Sequence, residues 1–177
     1  LAPFVVTLFG SSRPIPGQPA YELAYKLGRA IGENGWTLCN GGYGGTMEAS
    51  ARGASEVGGH TIGVTCKTLG RTGPNPYIRE EVPAADLLAR LDTLVRFGNA
   101  YVALPGGTGT LLELALVWEL TNKALLERER PVILLTDHWR DLIPIIQSEQ
   151  PDAREPQVAH NVPAAIAALQ KAAQTVC

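Results

Sequence analysis

Three stretches of this sequence combine glycine with small hydroxyl residues: Gly10-Ser11-Ser12, Gly41-Gly42-Tyr43-Gly44-Gly45-Thr46 and Gly106-Gly107-Thr108-Gly109-Thr110. Each follows a short apolar run, and the last two lead directly into helical patterns. Glycine lets a backbone turn sharply and bring its N–H groups close to a ligand oxygen. A helix starting at such a turn aims its unpaired N–H groups, and the positive end of its dipole, at the same place. Phosphate is the ligand that suits this arrangement. One glycine turn has steric uses that need no ligand, but two in strand–loop–helix context argue for a phosphate site. No lysine follows either loop, so the G-x-x-x-x-G-K-[ST] pattern is missing, and neither loop reads G-x-G-x-x-G.

Two side chains near these turns carry further chemistry. Glu113 stands in the apolar run Leu111-Leu112-Glu113-Leu114-Ala115-Leu116-Val117-Trp118. With Thr110 it spells a capping box, in which the carboxylate accepts from the Thr110 N–H. The same position also lies just above a phosphate loop, where the sugar of a bound nucleotide would sit. The residues alone leave both roles open. Arg90 belongs to a helical pattern whose apolar side is Leu87, Leu88, Leu91, Leu94 and Val95. A lone arginine there commonly snorkels over the core, and Arg96 on the same helix is equally eligible for a site.

The elements that must position these groups alternate along the chain. Pro3–Phe9, Trp36–Cys39, His60–Thr65, Ala100–Leu104 and Pro131–Leu135 read as strands. Ala20–Gly32, Thr46–Val57, Asp86–Phe97, Thr110–Leu126, Asp141–Gln147 (interrupted by Pro144) and Pro163–Ala173 read as helices. Lys67–Pro76 and Pro151–Pro156 read as loops. Strands separated by helices imply a parallel sheet covered on both faces. The expectation is a doubly wound, Rossmann-like α/β fold in three αβα layers, with residues 1–177 forming one domain. Ligands in such folds bind beyond the carboxyl ends of the strands.

Composition narrows the classes. The 177 residues are 45% hydrophobic and 18% charged, with net charge −2. Lys and Arg are scattered, which argues against a nucleic-acid-coating surface. No apolar run approaches the roughly 20 residues of a membrane span, and Ala2–Gly10 is too short for a secretory segment. Cys39, Cys66 and Cys177 show no metal spacing. Two of them lie in apolar runs as small core residues, and reduced thiols fit a cytoplasmic location.

Leu104-Pro105-Gly106-Gly107-Thr108-Gly109-Thr110-Leu111-Leu112-Glu113 resembles the P-G-G-x-G-T-x-x-E signature of the LONELY GUY (LOG) family. Phe9-Gly10-Ser11-Ser12, Gly41-Gly42-Tyr43-Gly44-Gly45-Thr46-Met47 and Gly58-Gly59-His60-Thr61-Ile62-Gly63-Val64 are similar to other parts of the family pattern. LOG enzymes hydrolyse the N-glycosidic bond of nucleoside 5′-monophosphates, cytokinin forms included, to free base and ribose 5-phosphate. The resemblance implies that Glu113 and Arg90 are the catalytic pair. Arg90, not Arg96, is the residue reached by counting back from the shared A-L-P-G-G. Where the family has M-H-E-R-K, this chain reads Leu87-Leu88-Ala89-Arg90-Leu91, and the arginine alone matches.

By the same resemblance, Gly106, Gly107, Thr108, Gly109 and Thr110 would hold the phosphate of a nucleoside monophosphate substrate. Gly10, Ser11, Ser12, Gly42, Gly45, Thr46 and Met47 would form the rest of the nucleotide site. No cofactor or metal is called for, and His60, His138 and His160 are dispersed. Relatives of the family are often labelled lysine decarboxylases. That chemistry normally needs pyridoxal phosphate on a lysine, and none of Lys26, Lys67, Lys123 and Lys171 stands at a phosphate-bearing strand end. Molybdenum-cofactor carrier proteins resemble the family in fold, so a non-catalytic carrier of a phosphorylated cofactor is the alternative. LOG-like proteins form homodimers or larger homo-oligomers, and the nearly all-round apolar helix Leu111–Leu126 fits burial on both sides.

Overall fold

The computed structural model describes residues 3–70, 73–126 and 128–176. Strands β1 (Val5–Phe9), β2 (Thr37–Asn40), β3 (Thr61–Cys66), β4 (Glu80–Ala84), β5 (Ala100–Ala103), β6 (Val132–Leu135) and β7 (Gln157–Ala159) form one sheet in the order β4-β3-β2-β1-β5-β6-β7. All of its pairings are parallel. The helices are α1 (Pro19–Glu33), α2 (Thr46–Glu56), α3 (Leu87–Phe97), α4 (Thr108–Asn122), α5 (Leu142–Glu149) and α6 (Val162–Val176). This is the three-layer, doubly wound arrangement expected from the alternating pattern.

The period of two along each strand divides the core into two halves. On β1, Val6 and Leu8 join α1, α2 and α6 through Tyr21, Leu27, Ile31, Ala51 and Leu169. Val5 and Phe9 point the other way, toward Leu94 and Val95 of α3, Leu114 and Trp118 of α4, and Ile143 of α5. Both faces of β1 are therefore buried, which is why its sequence is a continuous apolar run. The α1–α2 contact is especially close: a β-carbon at Gly28 would collide with the Ser50 backbone, carbonyl oxygen included.

Chain order reverses direction at β1, since β2, β3 and β4 lie to one side and β5, β6 and β7 to the other. The crevice beyond the carboxyl ends of β1 and β5 is the switch point where such folds bind ligands.

Several boundaries differ from the sequence expectation. β4 and β7 were not expected, and part of the predicted loop Lys67–Pro76 forms a 3₁₀ turn at Lys67–Leu69. α4 begins at Thr108 with Gly107 as its N-cap, so Thr110 lies inside the helix and the Thr110–Glu113 capping box does not form. α4 also ends at Asn122, and only part of it is covered: Thr110, Leu114, Val117 and Trp118 are buried, while Leu111 and Leu112 are exposed. Cys39 and Cys66 are buried as expected, and desolvation pushes the Cys39 thiol up to about 12. Cys177 lies outside the described residues. Among the described residues no helix is long and apolar enough to cross a membrane.

Candidate functional site

The first strand end is tied to the second glycine turn by backbone geometry. The Ser11 carbonyl accepts from both the Thr46 N–H at 2.8 Å and the Thr46 hydroxyl at 3.0 Å. Gly45, the N-cap of α2, has φ of 69°, a left-handed conformation open to glycine at little cost. Its lack of a side chain lets the Ser11-Ser12 backbone pack against it. Asn40, fully buried at the end of β2, organises the same turn. Its Oδ1 accepts from the Gly42 N–H at 2.8 Å, and its Nδ2 donates to the Met47 carbonyl at 2.9 Å. Asn75 clamps the turn from outside, donating to the carbonyls of Gly42 and Tyr43.

Tyr43 projects from that turn and is fastened at its far end. Its hydroxyl donates to the Cys66 carbonyl at 3.0 Å and accepts from the Cys66 N–H at 2.7 Å. The ring thus stands at a fixed place over the carboxyl end of β3.

Arg90 reaches the site from α3. Asp86 caps that helix, its side chain accepting from the Ala89 N–H at 2.8 Å, and Leu91, Leu94 and Val95 set its buried face. In this helical phase the Arg90 side chain is drawn inward and is 7% exposed. Its Nε donates to the Val64 carbonyl at 2.8 Å, and its Nη1 donates to Glu113 Oε1 at 3.3 Å. The guanidinium carbon also lies 5.7 Å from the centre of the Tyr43 ring, in cation–π range. Arg96, by contrast, is 78% exposed and pairs with Asp92 one helical turn back. The structure separates the two arginines that the helical pattern left equivalent.

Glu113 comes from the second turn of α4 and is 12% exposed. Burial pushes its pKa up to about 7, against the opposing pull of the Arg90 charge and hydrogen bond. A carboxyl poised there exchanges its proton near neutrality, which is the range useful for acid–base work.

These groups surround a cleft of about 300 Å³ lined by Gly10, Ser11, Ser12, Met47, Arg90, Gly107, Thr108, Gly109, Thr110 and Glu113 of the expected residues. The α4 N-terminus has no side-chain cap, so its first N–H groups are left for a ligand. Gly42, Gly45, Thr46 and Gly106 do not line the cleft. Gly42 packs on β3, Gly45 and Thr46 hold the Ser11 backbone, and Gly106 lies against the Thr110 side chain. They shape the walls from behind.

Sequence reasoning missed three lining residues: Arg13, Tyr43 and Leu69. Arg13 carried a signal, being a cation two residues beyond Gly10-Ser11. Tyr43 carried one too, as an aromatic inside a glycine run. Leu69 carried none, because its place depends on how the segment after β3 folds back. Two cavities about twice the size of this cleft, 620 and 640 Å³, lie along β6 and β7 and bring no glycine turn or buried ion pair together. No cluster of metal-ligating side chains occurs among the described residues.

The SLOG cluster4 family model matches residues 3–166. A cytokinin riboside 5′-monophosphate phosphoribohydrolase of Mycobacterium tuberculosis is 35% identical over 120 residues, which are 67% of this chain and 63% of that protein. The chain therefore spans a little under two thirds of that relative. Another protein of the same name, from Rhodococcoides fascians, is 31% identical over 150 residues, 82% of this chain and 75% of that one. Among solved structures, the molybdenum cofactor carrier protein of Chlamydomonas reinhardtii is similar with a TM-score of 0.78 and 27% identity, covering 98% of this chain and 99% of that one. The chain thus belongs to the SLOG cluster4 family as a relative of the LONELY GUY phosphoribohydrolases.

Proposed function

We propose that this protein hydrolyses the N-glycosidic bond of a nucleoside 5′-monophosphate, releasing free base and ribose 5-phosphate. The observation that carries the reading is the buried Arg90–Glu113 pair in the cleft beside the uncapped α4 N-terminus. Relatives named as phosphoribohydrolases support the same reaction class.

In this reading, the N–H groups of Thr108, Gly109 and Thr110 take the 5′-phosphate. That remote contact supplies binding energy that holds the ribose in place. Cleavage builds oxocarbenium character on the sugar. The Glu113 carboxylate steadies that charge, orients the ribose hydroxyls and accepts a proton from the attacking water. Arg90, whose guanidinium carries only donors, serves as a hydrogen-bond donor that polarises the leaving base and holds Glu113 in place. Ser11, Ser12 and Met47 border the nucleoside, with Tyr43 and Leu69 offering apolar surface beside it. No metal or cofactor takes part. The proposal includes a single domain over residues 1–177 and a cytoplasmic location.

A panel of nucleoside 5′-monophosphates, assayed for free base and ribose 5-phosphate, tests the reading. Release by the parent and not by Glu113→Gln supports it. Nucleotide binding without release by the parent would favour a second reading, a carrier of a phosphorylated cofactor. The likeness to the Chlamydomonas reinhardtii carrier over nearly the full length is what keeps that second reading in play.

A further inference from the structure

The glycines of the second turn are not alike. Gly42 and Gly45 have φ of 78° and 69°, where the backbone itself favours glycine. Gly41 is not among the positive-φ glycines, so no left-handed backbone calls for glycine there. Space is what excludes a side chain there. A β-carbon on Gly41 would land on Arg90 Nη2, with Arg90 Cζ at 3.1 Å and Met47 Sδ at 2.7 Å.

The obstruction is made of side-chain ends, the Arg90 guanidinium most closely and Met47 Sδ beside it, and not of the turn's backbone. Arg90 is otherwise held by Val64 through Nε and by Glu113 through Nη1. Its Nη2 side therefore needs a surface that neither repels nor displaces it. The bare Cα of Gly41 is that surface.

We propose that Gly41 is a positioning residue for Arg90, its missing side chain forming the slot that seats the guanidinium against Val64 and Glu113. A methyl group at 41 pushes the guanidinium out of the slot, because a flexible side-chain end yields before the backbone does. Glu113 then loses its neighbouring cation, and its carboxyl becomes harder to ionise. The functional consequence rests on the hydrolase reading. The seating itself does not, since it concerns only the unliganded fold.

A double-mutant cycle of Gly41→Ala, Arg90→Ala and the pair tests this. Glu113 titration is followed by carboxyl ¹³C NMR, folding by thermal melts, and base release by the nucleotide assay. In the parent background Gly41→Ala is expected to shift the Glu113 midpoint upward and to cut base release at least tenfold. In the Arg90→Ala background it is expected to leave the midpoint unmoved and to lower the melting temperature less than it does in the parent, because the slot is empty. A single variant that fails to fold while the double variant folds also supports the seating. Equal loss of melting temperature in both backgrounds, an unmoved Glu113 midpoint in the parent background, or misfolding of both variants would overturn it. Absence of base release from every protein, parent included, removes the hydrolase reading and leaves the titration and melting cycle fully interpretable.

Discussion

Glu113 shows how strongly burial governs the chemistry open to one side chain. Its carboxyl is held up to about 7 by desolvation, with Arg90 pulling the other way. If the ionised form does the work, kcat/KM rises between roughly pH 6 and pH 8 with a midpoint near 7. A profile already flat at pH 6 would contradict that assignment. The linkage to stability has a definite sign. The folded-state pKa lies above the unfolded value of about 4.3, so the favourable contribution is complete below that value and lost as pH rises to about 7. The stability of Glu113→Gln relative to the parent should therefore improve from acid to alkaline pH, by on the order of 3–4 kcal/mol. Urea melts at several pH values would measure it. Arg13, exposed at the mouth of the cleft, belongs to a different class of effect. Arg13→Ala is expected to raise KM severalfold and leave kcat nearly unchanged, as loss of uniform binding to the phosphate does. An equal fall in kcat would place it nearer the reacting bond.

At the scale of elements, legibility followed burial. β1, β3 and β6 are buried along their whole length and read as strands from their apolar runs alone. β4, Glu-Glu-Val-Pro-Ala, is an exposed edge strand with charge and proline in it, so neither alternation nor a continuous apolar run announces it. β7 spans only Gln157–Ala159, too short for a period. The start of α4 was misplaced for another reason: Thr-Leu-Leu-Glu has the composition of a capping box, but Glu113 is engaged by Arg90 and Gly107 begins the helix. The glycine turns of the site were legible because their composition is their function. Leu69 was not, since its place in the cleft depends on how the segment after β3 folds back. Close helix packing supplies a test at this scale. Gly28→Ala drives a methyl into the Ser50 backbone, which cannot move aside as a side-chain tip can. A loss of about 1–3 kcal/mol is expected, seen as a melting temperature several degrees lower. An unchanged melting temperature would mean that α1 and α2 separate at little cost.

For the whole molecule, the pattern of uncovered apolar groups matters most. Leu88 of α3 is 75% exposed, Leu112 of α4 is 45% exposed and Ile145 of α5 is 60% exposed. All three helices cover the same face of the sheet. The proposal that the protein is a homodimer or higher homo-oligomer draws on this apolar face. Light scattering coupled to gel filtration should give a mass at least twice 18.9 kDa. Leu88→Glu combined with Leu112→Glu should shift it toward the monomer. A parent mass equal to one chain would end the proposal.

The sheet order also has a consequence for biosynthesis. β1 is the central strand, yet its second neighbour, β5, begins roughly a hundred residues later. At about 5–20 residues per second on the ribosome, β1 waits roughly 5–20 s with one edge unpaired. During that interval its open edge is a template for pairing with other nascent chains. A fragment ending at Ala85, which holds β1 to β4 and lacks β5, is expected to precipitate when expressed alone, while a fragment ending at Leu135 stays largely in solution. If both fragments were equally soluble, the unpaired edge would be guarded by something other than β5. If the edge is open, nascent-chain chaperones find their main client in the segment from β1 to β5, before the cleft exists.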